Sequence, residues 1–166
     1  MHTAHIAIDA QTKVRRLQTC TEHSRSVADL SKNILTPCGL GSAGYLAGLL
    51  HDCGKFTKEF DEYIVKASNN ESVHKGSVIH TFAGVRYIME MFHSPNEQSV
   101  KNILAEIVAI CVDSHHGLMD LWNEQHHSGF EHRLKHQPEY DQCAISDFHE
   151  ECATQKEIET IFAAAE

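Results

Sequence analysis

The sequence has 166 residues, 42% of them hydrophobic and 22% charged, which is the composition of an ordinary globular protein with a core of its own. No apolar run approaches the roughly 18 residues that would cross a membrane, and residues 1–5 lack the basic and apolar regions of a signal peptide. The formal net charge of −9 excludes a generic electrostatic attraction to nucleic acid. We therefore expect a cytoplasmic protein without membrane contacts.

Cysteine and histidine are the two residue types whose use is informative. The six cysteines show no Cys-x-x-Cys spacing, which argues against a structural zinc site and against a disulfide scaffold, so we expect reduced thiols. There are also 14 histidines, more than a chain of this length needs. Imidazole is a good ligand for divalent metals, so the placement of the histidines indicates where chemistry could occur.

The apolar spacing predicts an all-α chain with no convincing strand. Thr19 and Glu22 have the spacing of a capping box and should begin the first helix. Its expected buried face holds Val27, Leu30 and Ile34, which recur at helical spacing.

The second predicted helix is strongly apolar and carries a histidine and an aspartate at its end. Ser42 should cap this helix, and Thr57 should cap a third helix. Gly54 should break the second helix after the His51-Asp52 pair. A buried carboxylate beside an imidazole is costly unless charge is compensated, and a metal ion is the usual compensation. Adjacent helical residues point about 100° apart, so further ligands must come from elsewhere.

The fourth and fifth predicted helices also carry histidines at a buried face or at an end. The fourth should run from about residue 77 to residue 92, with His80 on its inward stripe. The fifth should begin at residues 94–97 (Ser-Pro-Asn-Glu) and end at residues 114–117 (Ser-His-His-Gly). Its expected core residues are Ile103, Leu104, Ile107, Val108 and Cys111.

The chain from Gly117 to about residue 150 is polar, and no apolar stripe accompanies its histidines. We expect these histidines to be mostly exposed: His126, His127, His132, His136 and His149. Thr154 and Glu157 form another capping box, which should open a terminal amphipathic helix.

Six residues at the apolar faces or ends of four predicted helices are candidate metal ligands: His23, His51, Asp52, His80, His115 and His116. Each histidine taken alone is better explained as a core residue bonded to a carbonyl. Together they match the way in which converging helices build a metal site in the core of a bundle. Asp52 is the only carboxylate among them and is therefore the natural bridge between two ions. Mixed imidazole and carboxylate ligation suits manganese, iron, cobalt or nickel, with zinc and magnesium as further candidates.

Two divalent ions side by side form a site for phosphoester cleavage, because they activate water, hold the scissile phosphate and neutralise its charge. Asp52, as the shared ligand, would be central to catalysis. Lys55 would stabilise phosphate charge as a mobile cation. The alternative role for Lys55 is to complete the dipole at a helix C-terminus.

These motifs, in this order, resemble the HD phosphohydrolase superfamily. More narrowly, they are similar to the HD nuclease domain of the CRISPR-associated helicase-nuclease of type I systems. The resemblance rests on His23, on the His-Asp-x-Gly-Lys-Phe-x-x-x-Phe stretch at residues 51–60, on the segment 75–84 around His80, and on His-His-Gly-Leu-Met-Asp at residues 115–120. It covers residues from about 20 to 120, and more loosely to about 140.

The resemblance implies an all-α HD-domain bundle that cleaves single-stranded DNA as an endonuclease or exonuclease in antiviral defence. A helicase domain or subunit would feed the DNA after an RNA-guided surveillance complex opens the target. One ion would be held by residues matching His23, His51 and Asp52. The ligands of the second ion would match Asp52, His80, His115 and His116.

The chain departs from the family pattern at one ligand, because the family completes the first metal site with an aspartate from a later helix. Asp141 and Asp147 are the nearby aspartates, and neither lies in a buried helical pattern, so neither is assigned. We expect residues 1–166 to be a single HD nuclease domain without this final helix and without the helicase, as a stand-alone subunit or a fragment. Its first metal site would then be weakened or empty.

Two alternatives to a nuclease stay open from the sequence. An HD phosphohydrolase acting on a small nucleotide would use the same metals but would close a pocket around the base. An HD module with an incomplete, weakly active site would explain the absent carboxylate, although the presence of every other ligand counts against it.

Overall fold

The computed structural model describes residues 1–74, 78, 80–117, 129–136 and 142–166. These residues are predominantly helical, which confirms the predicted all-α class. In chain order the helices are α1 (Cys20–Leu35), α2 (Gly41–Leu50), α3 (Lys58–Ser68), α4 (Ala83–Phe92), α5 (Val100–Asp113), α6 (Gly129–His136), α7 (Gln142–Glu151) and α8 (Gln155–Ala163). Short 3₁₀ turns occupy Thr36–Cys38, Cys53–Lys55 and Ser114–His116.

A two-stranded antiparallel hairpin precedes α1, and the prediction that the chain has no strand was wrong here. Strand β1 (Thr3–Ile8) pairs with β2 (Arg15–Thr19), with Ile6 opposite Leu17. The connecting turn is built by Asp9, whose carboxylate accepts hydrogen bonds from two backbone amides, and by Lys13 at φ 58°. Strand alternation over so few residues is a weak signal, so pairing between the strands decides the structure.

Helix α2 lies at the centre of the bundle and is buried on most sides. Leu46, Leu49 and Leu50 are fully buried in it, and α1, α5 and α8 all pack against it. The contact with α1 is unusually close, because a Cβ at Gly48 would lie 2.7 Å from the Cα of Ala28. This central helix delivers the His51-Asp52 pair to the interior.

The buried faces of α1 and α5 differ from the predicted ones. Helix α1 buries small residues, including Ser24 and Ala28, and leaves Leu30 and Ile34 60% and 64% exposed. The close approach of α1 to α2 explains the difference, since only small side chains fit between the two backbones. On α5 the expected core residues Leu104 and Val108 are buried, together with Val112. The other three predicted core residues of that helix are exposed: Ile103, Ile107 and Cys111.

Several predicted helix starts are confirmed, and others differ from the prediction. Side chains of Thr19, Thr57 and Thr154 cap α1, α3 and α8 as predicted. Helix α2 begins without a side-chain cap, so the predicted role of Ser42 was wrong. Helix α5 begins after Ser99, not at residues 94–97.

The loop before α5 owes its shape to a buried asparagine. The side chain of Asn102 accepts a hydrogen bond from the Ser94 amide and donates to the carbonyls of Ser94 and Glu97. These bonds satisfy the backbone of residues 94–97 outside a helix, which is why their helix-start pattern does not begin one.

No helix within the described ranges is long and apolar enough to cross a membrane. All six cysteines are free thiols, as the sequence predicts, and Cys20, Cys53 and Cys152 are buried. Desolvation raises the pKa of the Cys20 thiol to about 12, so this side chain acts as an uncharged part of the core.

Candidate metal centre

The Asp52 carboxylate lies at the centre of the predicted ligand set and is only 3% exposed. His51 terminates α2, and Asp52 leads into the 3₁₀ turn, so the chain changes direction at this pair. The Oδ2 atom of Asp52 is 3.1 Å from His23 Nε2, 3.0 Å from His51 Nε2 and 2.8 Å from Lys55 Nζ. Three of the predicted site residues therefore converge on one carboxylate oxygen.

The second oxygen of Asp52 faces the other predicted ligands. Its Oδ1 atom is 3.5 Å from His115 Nε2 and 3.9 Å from His80 Nε2. Both Asp52 Oδ1 and His115 Nε2 are buried, and within the described residues neither has a hydrogen-bond partner. Leaving such groups unpaired in the interior is costly, so this side of the carboxylate has the character of a ligand-binding position.

The backbone fixes which ring nitrogen of three histidines faces the centre. The Nδ1 atoms of His51, His80 and His115 lie 2.7, 3.1 and 2.5 Å from the carbonyl oxygens of Gly48, Val78 and Val112. A carbonyl can only accept, so Nδ1 carries the proton and donates, and the neutral ring presents the Nε2 lone pair to Asp52. This arrangement is the one that orients histidine ligands in metal sites.

The potential ligand atoms form two groups that share Asp52. His23, His51 and Asp52 form the first, and Asp52, His80 and His116 form the second, with all ligand atoms of a group within 4.8 Å of one another. Converging lone pairs and a carboxylate repel one another unless a cation lies between them. The cluster therefore fits a divalent metal, and its imidazole and carboxylate donors suit transition metals.

Electrostatics within the cluster favour the ligating protonation states of most members. Burial alone would raise the pKa of the Asp52 carboxyl, but the imidazoles of His115, His23 and His51 outweigh it and hold that pKa well below its usual range. Burial lowers the pKa of His80, and burial together with the neighbouring His115 lowers that of His116. Burial also acts to lower the pKa of His115, but Asp52 raises it overall.

Lys55 is buried beside the carboxylate, so its position does not fit a solvated cation at a helix end. Its side chain is 7% exposed, and Nζ lies 5.2 Å from the centre of the Phe60 ring as well as against Asp52. The ammonium thus occupies the same side of Asp52 as His23 and His51.

Gly54 has a packing function that differs from the predicted helix break. Helix α2 has already ended at Leu50, and Gly54 lies inside the following 3₁₀ turn. A Cβ at this position would lie 2.2 Å from the carbonyl oxygen of His80. The glycine lets the His80 segment pass directly over the turn, and it thereby sets the distance from His80 to Asp52.

His80 itself precedes α4 instead of lying within it, because α4 begins at Ala83. Its position depends on the contact with Gly54 and on the edge of the Phe60 ring, whose centre is 5.1 Å away. The prediction that His80 lies on the inward stripe of a helix was therefore wrong, although it identified a residue that reaches the metal centre.

His5 is a site neighbour that the sequence analysis missed. Its ring lies edge-on to that of His23, with centres 4.6 Å apart at 80°. The residue is on β1, and because the hairpin was not predicted, nothing in the sequence placed His5 near His23 on the first helix.

Among the histidines expected to be exposed, His149 is half-buried, so that expectation was wrong for it. Its Nδ1 is 2.7 Å from the Ala153 carbonyl, and its ring packs against Tyr87. His132 is exposed, as predicted. Residues 126 and 127 and the side chain of His136 lie outside the described part of the chain.

Of the two aspartates considered for the first site, Asp147 does not join it. Asp147 lies on α7 with Oδ2 3.5 Å from Nε2 of His2, in a separate cluster with Asp61 and Glu151. Asp141 lies outside the described residues. Within the described ranges the first group therefore consists of His23, His51 and Asp52.

Comparison with protein families identifies this arrangement. The family model for the HD domain matches residues 21–146, and this range includes all six candidate ligands. The chain belongs to the HD-domain family. HD domains are typically metal-dependent phosphohydrolases. A search of curated proteins found no match to this HD domain.

Proposed function

We propose that this HD domain is a metal-dependent nuclease that hydrolyses phosphodiester bonds of single-stranded DNA. The observation that carries the proposal is that the two carboxylate oxygens of Asp52 face different histidines. One oxygen faces His23 and His51, and the other faces His80 and His115. A single buried carboxylate between two imidazole groups is suited to bridge two divalent ions, which is the arrangement used for phosphoester cleavage.

The protein residues have distinct roles in this proposal. His23, His51 and Asp52 would hold one ion, and His80, His115, His116 and Asp52 would hold the other. When bound, the ions supply an activated water and neutralise charge on the scissile phosphate. The backbone carbonyls of Gly48, Val78 and Val112 keep the ligating nitrogens directed inward, so the donor set is organised before an ion arrives.

Lys55 would bind a phosphate oxygen of the substrate. Its ammonium is already within 2.8 Å of Asp52 and is held over an aromatic ring, so it can reach any anion that binds beside the carboxylate. A lysine is a compact, mobile cation, which suits contact with an oxygen whose charge increases during cleavage.

A polymeric substrate is proposed because of the resemblance to the type I CRISPR nuclease domain and because the centre reaches the surface. His116 is exposed at its edge, and the side chains of His23 and His80 are 19% and 17% exposed. The net charge of −9 does not favour capture of free DNA, so a helicase domain or subunit working with an RNA-guided complex would deliver the strand.

The test is metal content per chain by elemental analysis, followed on the same sample by incubation of circular single-stranded DNA with manganese or cobalt. Circular DNA has no ends, so its linearisation requires endonuclease cleavage. Bound metal and linearised circles, both lost in Asp52→Asn, are the expected result.

Two results would contradict the nuclease. Hydrolysis of deoxynucleoside triphosphates with intact circles would support the small-nucleotide enzyme. One ion per chain with neither activity would support a domain whose first metal site is incomplete. A linear strand assayed in parallel detects a purely exonucleolytic enzyme, for which circles also stay intact.

A further inference from the structure

One face of the β1–β2 hairpin extends from the metal centre to an exposed arginine, Arg16. Paired residues of an antiparallel ladder project to the same face, and successive residues alternate. The pairs His5–Gln18 and Ala7–Arg16 therefore share one face, and Ile8 and Arg15 point to the other. The first face starts at the metal centre, because the His5 ring contacts His23.

The polar side chains of this face are arranged along one line. Two residues of a strand span about 7 Å, so the Ala7–Arg16 pair lies about one such step beyond the His5–Gln18 pair. This step is comparable to the separation of successive phosphates along an extended single strand. His5 and Arg16 are exposed and Gln18 is half-buried, so a ligand can reach all three.

The cation at the outer end of this face is free to bind an anion. Among the described residues, the Arg16 guanidinium has no hydrogen bond or ion pair, whereas that of the neighbouring Arg15 donates from Nη2 to the side chain of Asn69 at the end of α3. In a chain with a net charge of −9, an arginine that has no side-chain partner among the described residues provides local attraction for a negatively charged backbone.

We propose that the hairpin face formed by His5, Gln18 and Arg16 binds the sugar-phosphate backbone of the single strand on one side of the scissile phosphate. This inference rests on the proposed nuclease function and deepens it, since it assigns the surface along which the strand leaves the metal centre. Arg16 contacts a phosphate through its guanidinium, and His5 and Gln18 contact the nucleotide nearest the metal centre.

The experiment compares Arg16→Gln with Arg15→Gln, a matched pair with the same charge change on opposite faces of one strand. Binding of a fluorescent twelve-residue oligothymidylate with phosphorothioate linkages is measured by anisotropy on the metal-loaded protein at several salt concentrations. Gel analysis after each titration verifies that the oligonucleotide is intact. Arg16→Gln should weaken binding by about fivefold and reduce the salt-dependence slope by about 0.7, the value for one single-strand phosphate contact. Arg15→Gln should change affinity less than about twofold.

Three results would overturn the hairpin proposal. The first is an equal loss of oligonucleotide affinity in Arg16→Gln and Arg15→Gln, and the second is no measurable binding by the wild-type protein. The third is a loss of affinity for thymidine triphosphate in Arg16→Gln as large as that for the oligonucleotide, which would indicate contact with a mononucleotide. Because binding is measured without cleavage, the outcome is separate from that of the nuclease assay. If circular and linear strands both stay intact but Arg16→Gln weakens binding selectively, the nuclease is refuted and the binding face is retained. If the DNA is cleaved but Arg16→Gln binds normally, the nuclease is retained and the binding face is refuted.

Discussion

Asp52 combines features that a structural carboxylate does not need. A buried aspartate could satisfy both oxygens with backbone amides, but here one oxygen contacts Lys55 and two imidazoles and the other has no hydrogen-bond partner in the described structure. Interiors rarely leave such atoms unpaired without a functional reason. The orphaned Oδ1 is therefore the strongest single indication that this carboxylate binds an ion.

Asp52→Asn should remove both metals from the protein. The amide has nearly the same shape, but it carries no charge and offers one carbonyl oxygen instead of two, so it cannot bridge two ions. We expect metal content, measured by elemental analysis, to fall by more than about tenfold while circular dichroism shows retained helices. The exposed Asp29 on α1 provides the control, because Asp29→Asn should keep full metal content. Two ions per chain in Asp52→Asn would disprove the bridging role.

Metal occupancy should fall as the pH is lowered from 8 to 5, because only neutral imidazole binds metal. The raised pKa of His115 makes it protonate at a higher pH than His80 and His116. His80 and His116 have lowered pKa values, so they stay neutral and keep their ligating form to lower pH. Dialysis at fixed free cobalt, followed by elemental analysis, measures the profile. In His115→Gln, the decrease in metal occupancy should occur at a lower pH than in the wild-type protein. Metal occupancy of the wild-type protein that stays constant from pH 8 to pH 5 would argue against histidine ligation.

The caps at Thr19, Thr57 and Thr154 were predictable from sequence because each is a local signal. Thr19 and Glu22 satisfy each other's backbone within one turn, whatever the rest of the chain does. Buried faces are not local in this way. Leu30 and Ile34 have the correct spacing for a core stripe, but the contact between Ala28 and Gly48 rotates the small side of α1 toward α2. Which face of α1 is buried depends on both helices, so the spacing of apolar residues within α1 alone does not predict it.

Gly54→Ala should damage the metal centre through the backbone and not through a ligand. The added methyl group would lie 2.2 Å from the His80 carbonyl, so the His80 segment must move away from Asp52. We expect stability to fall by about 1–3 kcal/mol from overpacking. Affinity for the ion held by His80 should fall by about 10–100-fold, as measured by cobalt titration.

The control for Gly54→Ala is Ile158→Val, a fully buried change on α8. It should lower stability by about 1 kcal/mol without affecting the metal, which separates a general loss of stability from displacement of His80. Full cobalt affinity in Gly54→Ala would show that the contact between the turn and His80 does not position the ligand.

The six candidate ligands could be chosen from sequence for two reasons. His51, Asp52, His115 and His116 come at the ends of predicted helices shortly before a glycine, and His23 and His80 fall on predicted apolar faces. The structure brings together groups that are far apart in sequence, from His23 to His116, around one carboxylate. His5 could not be found in this way, because its approach to His23 depends on pairing between β1 and β2 and on their packing against α1 and α3. Local sequence patterns thus indicate candidate metal ligands, whereas the neighbours of the metal centre, such as His5, depend on long-range contacts.

The acidity of the whole molecule should make the proposed binding of nucleic acid dependent on the metal. With a net charge of −9, the metal-free protein repels a polyanion, and bound ions reverse this repulsion only around the centre. At about 50 mM salt we expect the chelator-treated protein to bind a phosphorothioate oligonucleotide at least about tenfold more weakly than the metal-loaded protein. Asp52→Asn with metal in the buffer should behave like the chelated sample. Equal affinity with and without metal would mean that the strand binds elsewhere.

The ion pair between Lys55 and Asp52 has a consequence for how the protein acquires its metal. Proteins whose ligands have no internal countercharge often fold only around the ion. Here the ammonium already neutralises the buried carboxylate at 2.8 Å, so the bundle should fold first and load afterward, with the incoming ion exchanging for the lysine. The metal found in a purified sample would then reflect the supply at the time of loading. Cultures grown with manganese and with cobalt should yield the same folded protein carrying different ions.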